Sequence, residues 1–249
     1  MKKNIIIPLL FFPFGLFAQN DRVNDYNYLN WLQTFNTVSL NKKWSLHLEY
    51  QWRRDKGLKN WQQSLLRIGA NYKLNDNVTA QVGYGWIETF SYGDYPLASN
   101  GTFPEHRIYE QLNLRQPVGK VLLTHRFRVE QRWLGRVKAG TAGNREIEGW
   151  TFLHRFRYQF RTQLPFYTKG NKQLYGAAAD EILIGAGKNL GTNIFDQNRI
   201  FLLLGYKLNK NLSIEAGYFN QTIQQGRRIN NSTIMQRNNG WLLSSNLNL

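Results

Sequence analysis

The 249-residue chain has no cysteine and half as many acidic residues as basic ones, 16 against 32. Without cysteine there is no disulfide scaffold, CxxC redox pair, cysteine-ligated zinc, iron–sulfur cluster or thiol nucleophile. Once the first two dozen residues are set aside, no run approaches the ~20 apolar residues of a membrane helix. With a mean hydropathy of -0.52, a multi-span helical transporter is excluded. HExxH, GxSxG, P-loop and strand-to-helix GxGxxG motifs are missing too, and the carboxylates are too dispersed for a metal site. The sequence therefore predicts no catalytic residues, no metal and no cofactor. What it has is 42% hydrophobic and 14% aromatic residues, too many for a disordered polyelectrolyte.

The chain opens on a cationic start, Lys2-Lys3, followed by thirteen apolar residues over 5–17 and a Leu16-Phe17-Ala18 cleavage site before Gln19. So short a run, interrupted by Pro8 and Pro13, reads as a secretory signal of bacterial type rather than a spanning or buried helix. The expected organisation is a signal peptide over 1–18 and a single domain over 19–249, which keeps a net charge of about +14 once Lys2 and Lys3 leave. Export permits disulfides, yet the chain has none to form, so its stability must come from backbone hydrogen bonds and packing.

The rest alternates with period two. In Trp44-Ser45-Leu46-His47-Leu48-Glu49-Tyr50-Gln51-Trp52-Arg53 the apolar residues share one face and the polar residues the other, the mark of a strand between two environments. Leu66, Ile68, Ala70 and Tyr72 repeat it, as do Val82, Tyr84 and Trp86. Phe127, Val129 and Trp133 oppose Arg126, Arg128, Glu130 and Arg132, while Phe152, Phe156, Tyr158 and Phe160 oppose Arg155, Arg157 and Arg161. Eleven such segments occur, at 28–40, 44–53, 63–74, 78–89, 105–116, 120–133, 149–163, 173–185, 198–208, 212–221 and 239–249. Tight turns at Asn41-Lys42-Lys43, Asn75-Asp76-Asn77, Pro117-Val118-Gly119 and Asn209-Lys210-Asn211 alternate with long polar loops near 90–104, 134–148, 186–197 and 222–238. Asn and Gly suit such turns because they tolerate positive φ.

This pattern predicts an all-β, antiparallel up-and-down transmembrane barrel. A bilayer barrel is apolar outside, polar inside and banded by aromatics, with short turns at one end and long loops at the other. A soluble lipocalin-like carrier would invert the faces. Trp44, Trp52, Trp86 and Trp133 near strand ends favour the membrane form. If that is right, Leu46, Tyr50, Phe127 and Phe156 look outward; if wrong, they crowd the centre. Bacterial single-chain barrels have even strand numbers, so eleven segments lead to an expectation of 10 to 12.

The stretches Glu105-His106-Arg107-Ile108-Tyr109-Glu110-Gln111, Thr124-His125-Arg126-Phe127-Arg128-Val129-Glu130-Gln131-Arg132 and Asp196-Gln197-Asn198-Arg199, continuing to Gly205-Tyr206-Lys207-Leu208 and Gly217-Tyr218, resemble the family catalogued as domain of unknown function 2490. The resemblance implies an exported bacterial outer-membrane barrel of a kind common in Bacteroidetes. It brings no activity, substrate or catalytic residue.

The candidate site is a charged ladder on the polar face: Arg53, Arg67, Arg107, Arg115, Arg126, Arg128, Glu130, Arg132, Arg155, Arg157, Arg161, Glu181, Arg199 and Glu215, with Glu49 beside them. Guanidinium and carboxylate groups can fill a narrow lumen by pairing across strands. The arginine excess can also attract small phosphate or carboxylate solutes, giving a narrow porin-like channel. Glu110 and Asp180 break the apolar face and are expected at strand ends or bulges. His125 and His154, in repeated His-Arg-Phe-Arg units, invite a lipid-acting barrel enzyme, but no serine stands at a telling spacing. A pI of 10.1 also suggests nucleic acid. Export and strand alternation argue instead for membrane lipid, and Arg136, Lys138, Arg145, Arg227, Arg228 and Arg237 on the outer loops are open to two readings, contact with anionic lipopolysaccharide or an ordinary solvated loop.

Overall fold

The computed structural model describes residues 22–98, 101–139, 145–190 and 194–249. The expected signal segment, 1–18, lies outside them. The described residues form eleven strands: β1 Arg22–Ser39, β2 Trp44–Asp55, β3 Asn60–Lys73, β4 Val78–Thr89, β5 Phe103–Val118, β6 Val121–Ala139, β7 Arg145–Lys169, β8 Lys172–Ala186, β9 Phe195–Lys207, β10 Leu212–Ile229 and β11 Ser232–Asn248. Each pairs with its sequence neighbours, and β1 pairs with β11 to close a barrel.

The closing pair corrects the expectation of a wholly antiparallel barrel. Strands that alternate up and down leave an odd-numbered first and last strand pointing the same way, and β1 and β11 accordingly pair in parallel, from Arg22↔Thr233 to Thr37↔Asn248. The other pairs are antiparallel. Both strands finish at the short-turn end, where the Ser39 amide donates to the Leu249 carbonyl at 2.7 Å.

The apolar side faces out. Leu46 is 42% exposed, Tyr50 38%, Phe127 45% and Phe156 49%, whereas Glu49, Arg53, Arg128, Arg155 and Arg157 are buried. A water-soluble barrel needs the opposite arrangement. At the loop end Trp86, His106, Trp133 and Phe152 stand side by side in register across β4 to β7, and Trp44 packs on Tyr72 at the other end. From Trp44 to Trp52 the strand runs ~27 Å; with a membrane-barrel tilt that spans roughly 20 Å along the axis, close to the apolar band of a bilayer barrel.

Hydrocarbon offers no hydrogen-bond partners, and polar groups on the outer face supply their own across adjacent strands. Tyr84 meets His106 Nδ1 at 2.5 Å, Tyr158 meets His125 Nδ1 at 2.9 Å, and the Tyr218 hydroxyl donates to Asn239 at 2.6 Å. Glu110 and Asp180 follow the same rule and correct the expectation of strand ends or bulges. Both lie mid-strand in regular register, where Glu110 accepts from Gln131 Nε2 at 3.2 Å and Asp180 from Asn198 Nδ2 at 2.6 Å.

Two local expectations are also revised. Segment 222–238 is no loop: β10 and β11 run on to a hairpin at Asn230-Asn231, both at positive φ (48° and 63°), the geometry of a type I′ turn. Above the apolar girdle both faces of a strand meet polar surroundings, so the alternation vanishes while the ladder continues. At the other end, Asn41, Asn75 and Asn209 act through their side chains rather than positive φ. Asn41 Oδ1 accepts the amides of Lys43 and Trp44, and Asn209 Oδ1 those of Asn211 and Leu212. Positive φ is taken by Gly119 and Gly170.

The parallel seam is directly testable, since no native cysteine competes. Asn36→Cys with Leu247→Cys, partners in register on the outer face, should oxidise to a disulfide that changes mobility on a non-reducing denaturing gel. A pair that stays reduced under oxidant would contradict the seam.

Candidate functional site

At a strand spacing of ~4.8 Å and a tilt near 40°, eleven strands enclose a backbone cylinder of about 11 Å radius. Arginine, tyrosine and tryptophan side chains from opposite walls meet across such a space. Several of their contacts join strands that are not neighbours in the sheet, among them Arg126 with Glu181 and Arg161 with Glu215, which only the interior permits.

The charged groups stack in levels. At the loop end Glu105 accepts from Arg107 (2.5 Å) and Arg132 (2.5 and 3.1 Å), and Arg155 donates to Asp196 (2.8 Å). In the middle Glu130 accepts two bonds from Arg155 (2.5 and 2.8 Å) and one from Arg157 (2.7 Å). One step toward the short turns, Glu181 on β8 gathers Arg157 (2.6 and 2.9 Å), Arg126 of β6 (2.8 Å) and Arg199 of β9 (3.4 Å), while Glu49 takes Arg67. Lowest, Glu215 of β10 accepts from Arg161 of β7 (2.5 Å) and the Tyr175 hydroxyl of β8 (2.8 Å). Arg53 makes no ion pair among the described residues; it bonds Gln51 and Gln63 and lies 4.0 Å over the Trp31 ring. Such cation–π contact suits a guanidinium short of carboxylates.

Tyr109 fills the centre, with the Arg128 guanidinium 4.5 Å above its ring. Gly83 makes this possible, because a Cβ there would sit 2.5 Å from the ring. On the side of β1 and β9–β11 the filling is apolar: Leu29, Trp31, Phe219 and Leu242, with Phe201 and Leu203 against them.

The loop end is stapled shut by segment 90–98, which folds inward. The Asp25 carboxylate accepts the amides of Asp94 (3.3 Å) and Tyr95 (3.1 Å), and Gln225, Gln236 and Arg227 donate to the Tyr95 and Pro96 carbonyls. Gly93, at φ +76°, lies so close to Asp25 that a Cβ would meet its carboxylate. Burial pushes the Tyr92 hydroxyl up to about 12, so it stays protonated and donates to Gln236 while accepting from Asn238. Beneath this staple only about 40 Å³ is free. Toward the short turns the interior opens into a cavity of about 360 Å³ bordered by Arg53, Arg67, Arg126, Arg157, Arg161 and Arg199 against Glu49, Glu181 and Glu215. A mouth of about 460 Å³ follows, edged by Arg115, Lys120, Lys207 and Lys210.

Of the ladder read from the sequence, Arg115 alone sits apart, exposed at the mouth; the other members line the interior, most of them deeply buried. The sequence reading missed Asp25, Trp31, Tyr92, Tyr109, Asp196 and Phe201, and the mouth lysines. Trp31, Tyr109 and Phe201 lie in phase with inward polar positions, which was the available signal. Of the cations assigned to outer loops, Arg136, Lys138, Arg227, Arg228 and Arg237 lie on strand extensions, and the Arg145 side chain lies outside the described residues. Arg227 bonds Gln225 and Pro96, and Arg237 bonds Asn24 and Thr222. His125 is held by Tyr158, and His154 stands edge-on to Phe152; among the described residues neither bonds a serine. No cluster of metal-binding side chains occurs among the described residues.

The model of a protein family described as "Protein of unknown function (DUF2490)" matches residues 29–233, most of the chain, from within β1 to the start of β11. The chain belongs to this family. An uncharacterized protein of Methylorubrum extorquens is 27% identical over 182 residues, 70% of this chain and 69% of that one. Among solved structures this DUF2490 barrel is similar to the beta domain of the Bordetella autotransporter Brka (12% identity, 84% of this chain, 83% of that chain, TM-score 0.46) and to the NanC porin (12%, 79% and 84%, 0.41). At that distance the likeness is one of general fold.

Glu130 is the hub of the buried lattice. Replacing one member of a buried ion pair leaves its partners uncompensated, typically costing about 3–5 kcal/mol. Glu130→Gln should lower barrel stability by ~3 kcal/mol, read from urea unfolding in detergent micelles. Lys138→Gln, which removes only the exposed 3.8 Å pair with Glu148, should cost under ~1 kcal/mol. Equal effects would contradict a structural lattice.

Proposed function

We propose that this protein is an outer-membrane β-barrel, closed at its loop end, that offers an arginine-lined interior to small anions entering from the short-turn side. One observation carries the reading: six arginines face three glutamates around the 360 Å³ cavity. A positive excess in so confined a space attracts counter-anions. The cationic mouth adds to that field, with Arg115, Lys120, Lys207 and Lys210 at its rim. In a bilayer barrel the short-turn end is periplasmic. The outward apolar face and the aromatic row at the loop end support the membrane setting, and heat-modifiable gel mobility of the outer-membrane fraction tests it.

In planar bilayers the native barrel should be nearly silent. Asp25→Ala with Gln236→Ala, which loosens the staple, should open a small conductance that favours anions over cations. Adding Arg126→Gln and Arg161→Gln should reduce that preference severalfold. A loosened barrel that stays silent, or one that prefers cations, would sink the proposal.

The proposal extends to lipid through Arg136, Lys138 and Arg228, which are exposed at the loop end. Replacing all three with glutamine should weaken association with lipopolysaccharide-containing vesicles relative to zwitterionic ones. Unchanged binding would end this part.

A further inference from the structure

The 360 Å³ cavity is two-sided. Arg67, Arg126, Arg157 and Arg161 border one side, and Phe35, Phe201, Leu203 and Leu242 border the other. The two kinds of wall come mostly from different strands. These four arginines and Arg53 stand on β2, β3, β6 and β7; the apolar residues stand on β1, β9 and β11, where they join the packed wedge around Trp31 and where, among the described residues, Arg199 of β9 is the one cation beside them. An inorganic anion such as phosphate would satisfy the first wall and leave the second against its hydration shell. A neutral apolar molecule would satisfy the second and leave the charge excess unanswered.

We infer that the cavity is a binding site for a small organic carboxylate with an apolar body, such as an aryl-substituted acid; this rests on the anion-attracting reading above and names its ligand class. The volume lies within the range of small-molecule sites, and the mixture of apolar surface with a few placed polar groups is the usual composition of such sites. A carboxylate suits the guanidinium wall in kind, since these arginines already bind carboxylates. Among the described residues Arg126 bonds only Glu181, an acid shared with Arg157 and Arg199, so a guest carboxylate at Arg126 leaves Glu181 compensated. A monoanion also surrenders less hydration than a phosphate dianion on entering a half-apolar space. Arg161 and Glu215 border the cavity, and Tyr175, bonded to the same carboxylate, borders the cationic mouth, so these three side chains stand between the two.

The test is calorimetric titration of the full barrel in non-ionic micelles with four probes: phenylacetate, acetate, inorganic phosphate and 2-phenylethanol, each corrected for protein-free micelles. Phenylacetate should bind at least tenfold more tightly than acetate or phosphate, and 2-phenylethanol should show nothing beyond partitioning. Phe201→Ala should bring phenylacetate down to the acetate level without altering acetate itself. Arg126→Gln should weaken both acids. Folding of each variant is read from heat-modifiable mobility, and the probe series on the native barrel stands even where a variant fails to fold. Acetate or phosphate binding as well as phenylacetate would overturn the carboxylate-with-apolar-body inference and leave the anion reading intact. No binding of any anion would overturn both, and 2-phenylethanol binding like phenylacetate would overturn the role of charge.

Discussion

Removing a guanidinium group from water costs more than any one contact returns, and this barrel holds several such groups at its axis. Each must therefore find carboxylates, amides or aromatic faces in its immediate surroundings. Glu130 answers two arginines by hydrogen bonds and Glu181 three, while Arg53 is met by Gln51, Gln63 and the Trp31 ring. Because some bonds of this kind, such as Arg126 to Glu181 and Arg161 to Glu215, join strands that are not neighbours, the lattice ties more distant parts of the wall together as well as fixing the register between adjacent strands. The outer face contributes little such specificity, since Leu, Val and Phe are interchangeable toward lipid in a way that a bidentate arginine pair is not.

The same economy of partners operates outside. Tyr84 with His106, Gln131 with Glu110 and Asn198 with Asp180 are cross-strand pairs within the outer face. A lone carboxylate in that setting is hard to accommodate; one tied to the neighbouring strand adds a local constraint on register. Departures from the apolar pattern are thus placed where a partner stands one strand away.

Much of the fold was legible because a strand between lipid and a charged interior writes its environment into every second residue. Trp44 to Arg53 and Phe152 to Arg161 could be read in phase without knowing which face turned inward. Legibility ended where the two environments became alike: from Gln224 to Arg237 polar residues predominate on both faces and Ile229, Ile234 and Met235 keep no period of two, so two strands and a hairpin resembled a loop. It also ended at the closing pair, since period-two patterning carries no information on which strand completes the ring, and parity took the role of evidence. Within the site, the arginines were visible as a phase of charge. Their partners were less so: Tyr109 and Trp31 occupy inward positions as packing bodies, and Asp25 gains its meaning from backbone amides of segment 90–98, contacts distant in sequence that a pattern of types cannot display.

The position of the apolar wedge follows from the odd strand number. Every seam but one joins consecutive strands, so the chain itself brings its two strands together before the interior is filled. The β1–β11 seam has no such connection, and a parallel ladder is slightly weaker than an antiparallel one. A lattice of bidentate ion pairs laid across it would lose its partners on a slip of one residue. Leu29, Trp31, Phe201, Phe219 and Leu242 impose a gentler requirement, because dispersion and burial hold over small displacements. The ion pairs named above consequently lie on β2 to β10, where the chain itself fixes alignment, and the non-directional packing lies beneath the one junction that must find its register unaided. The division of the interior cavity into a cationic wall and an apolar wall is a consequence of how this barrel closes.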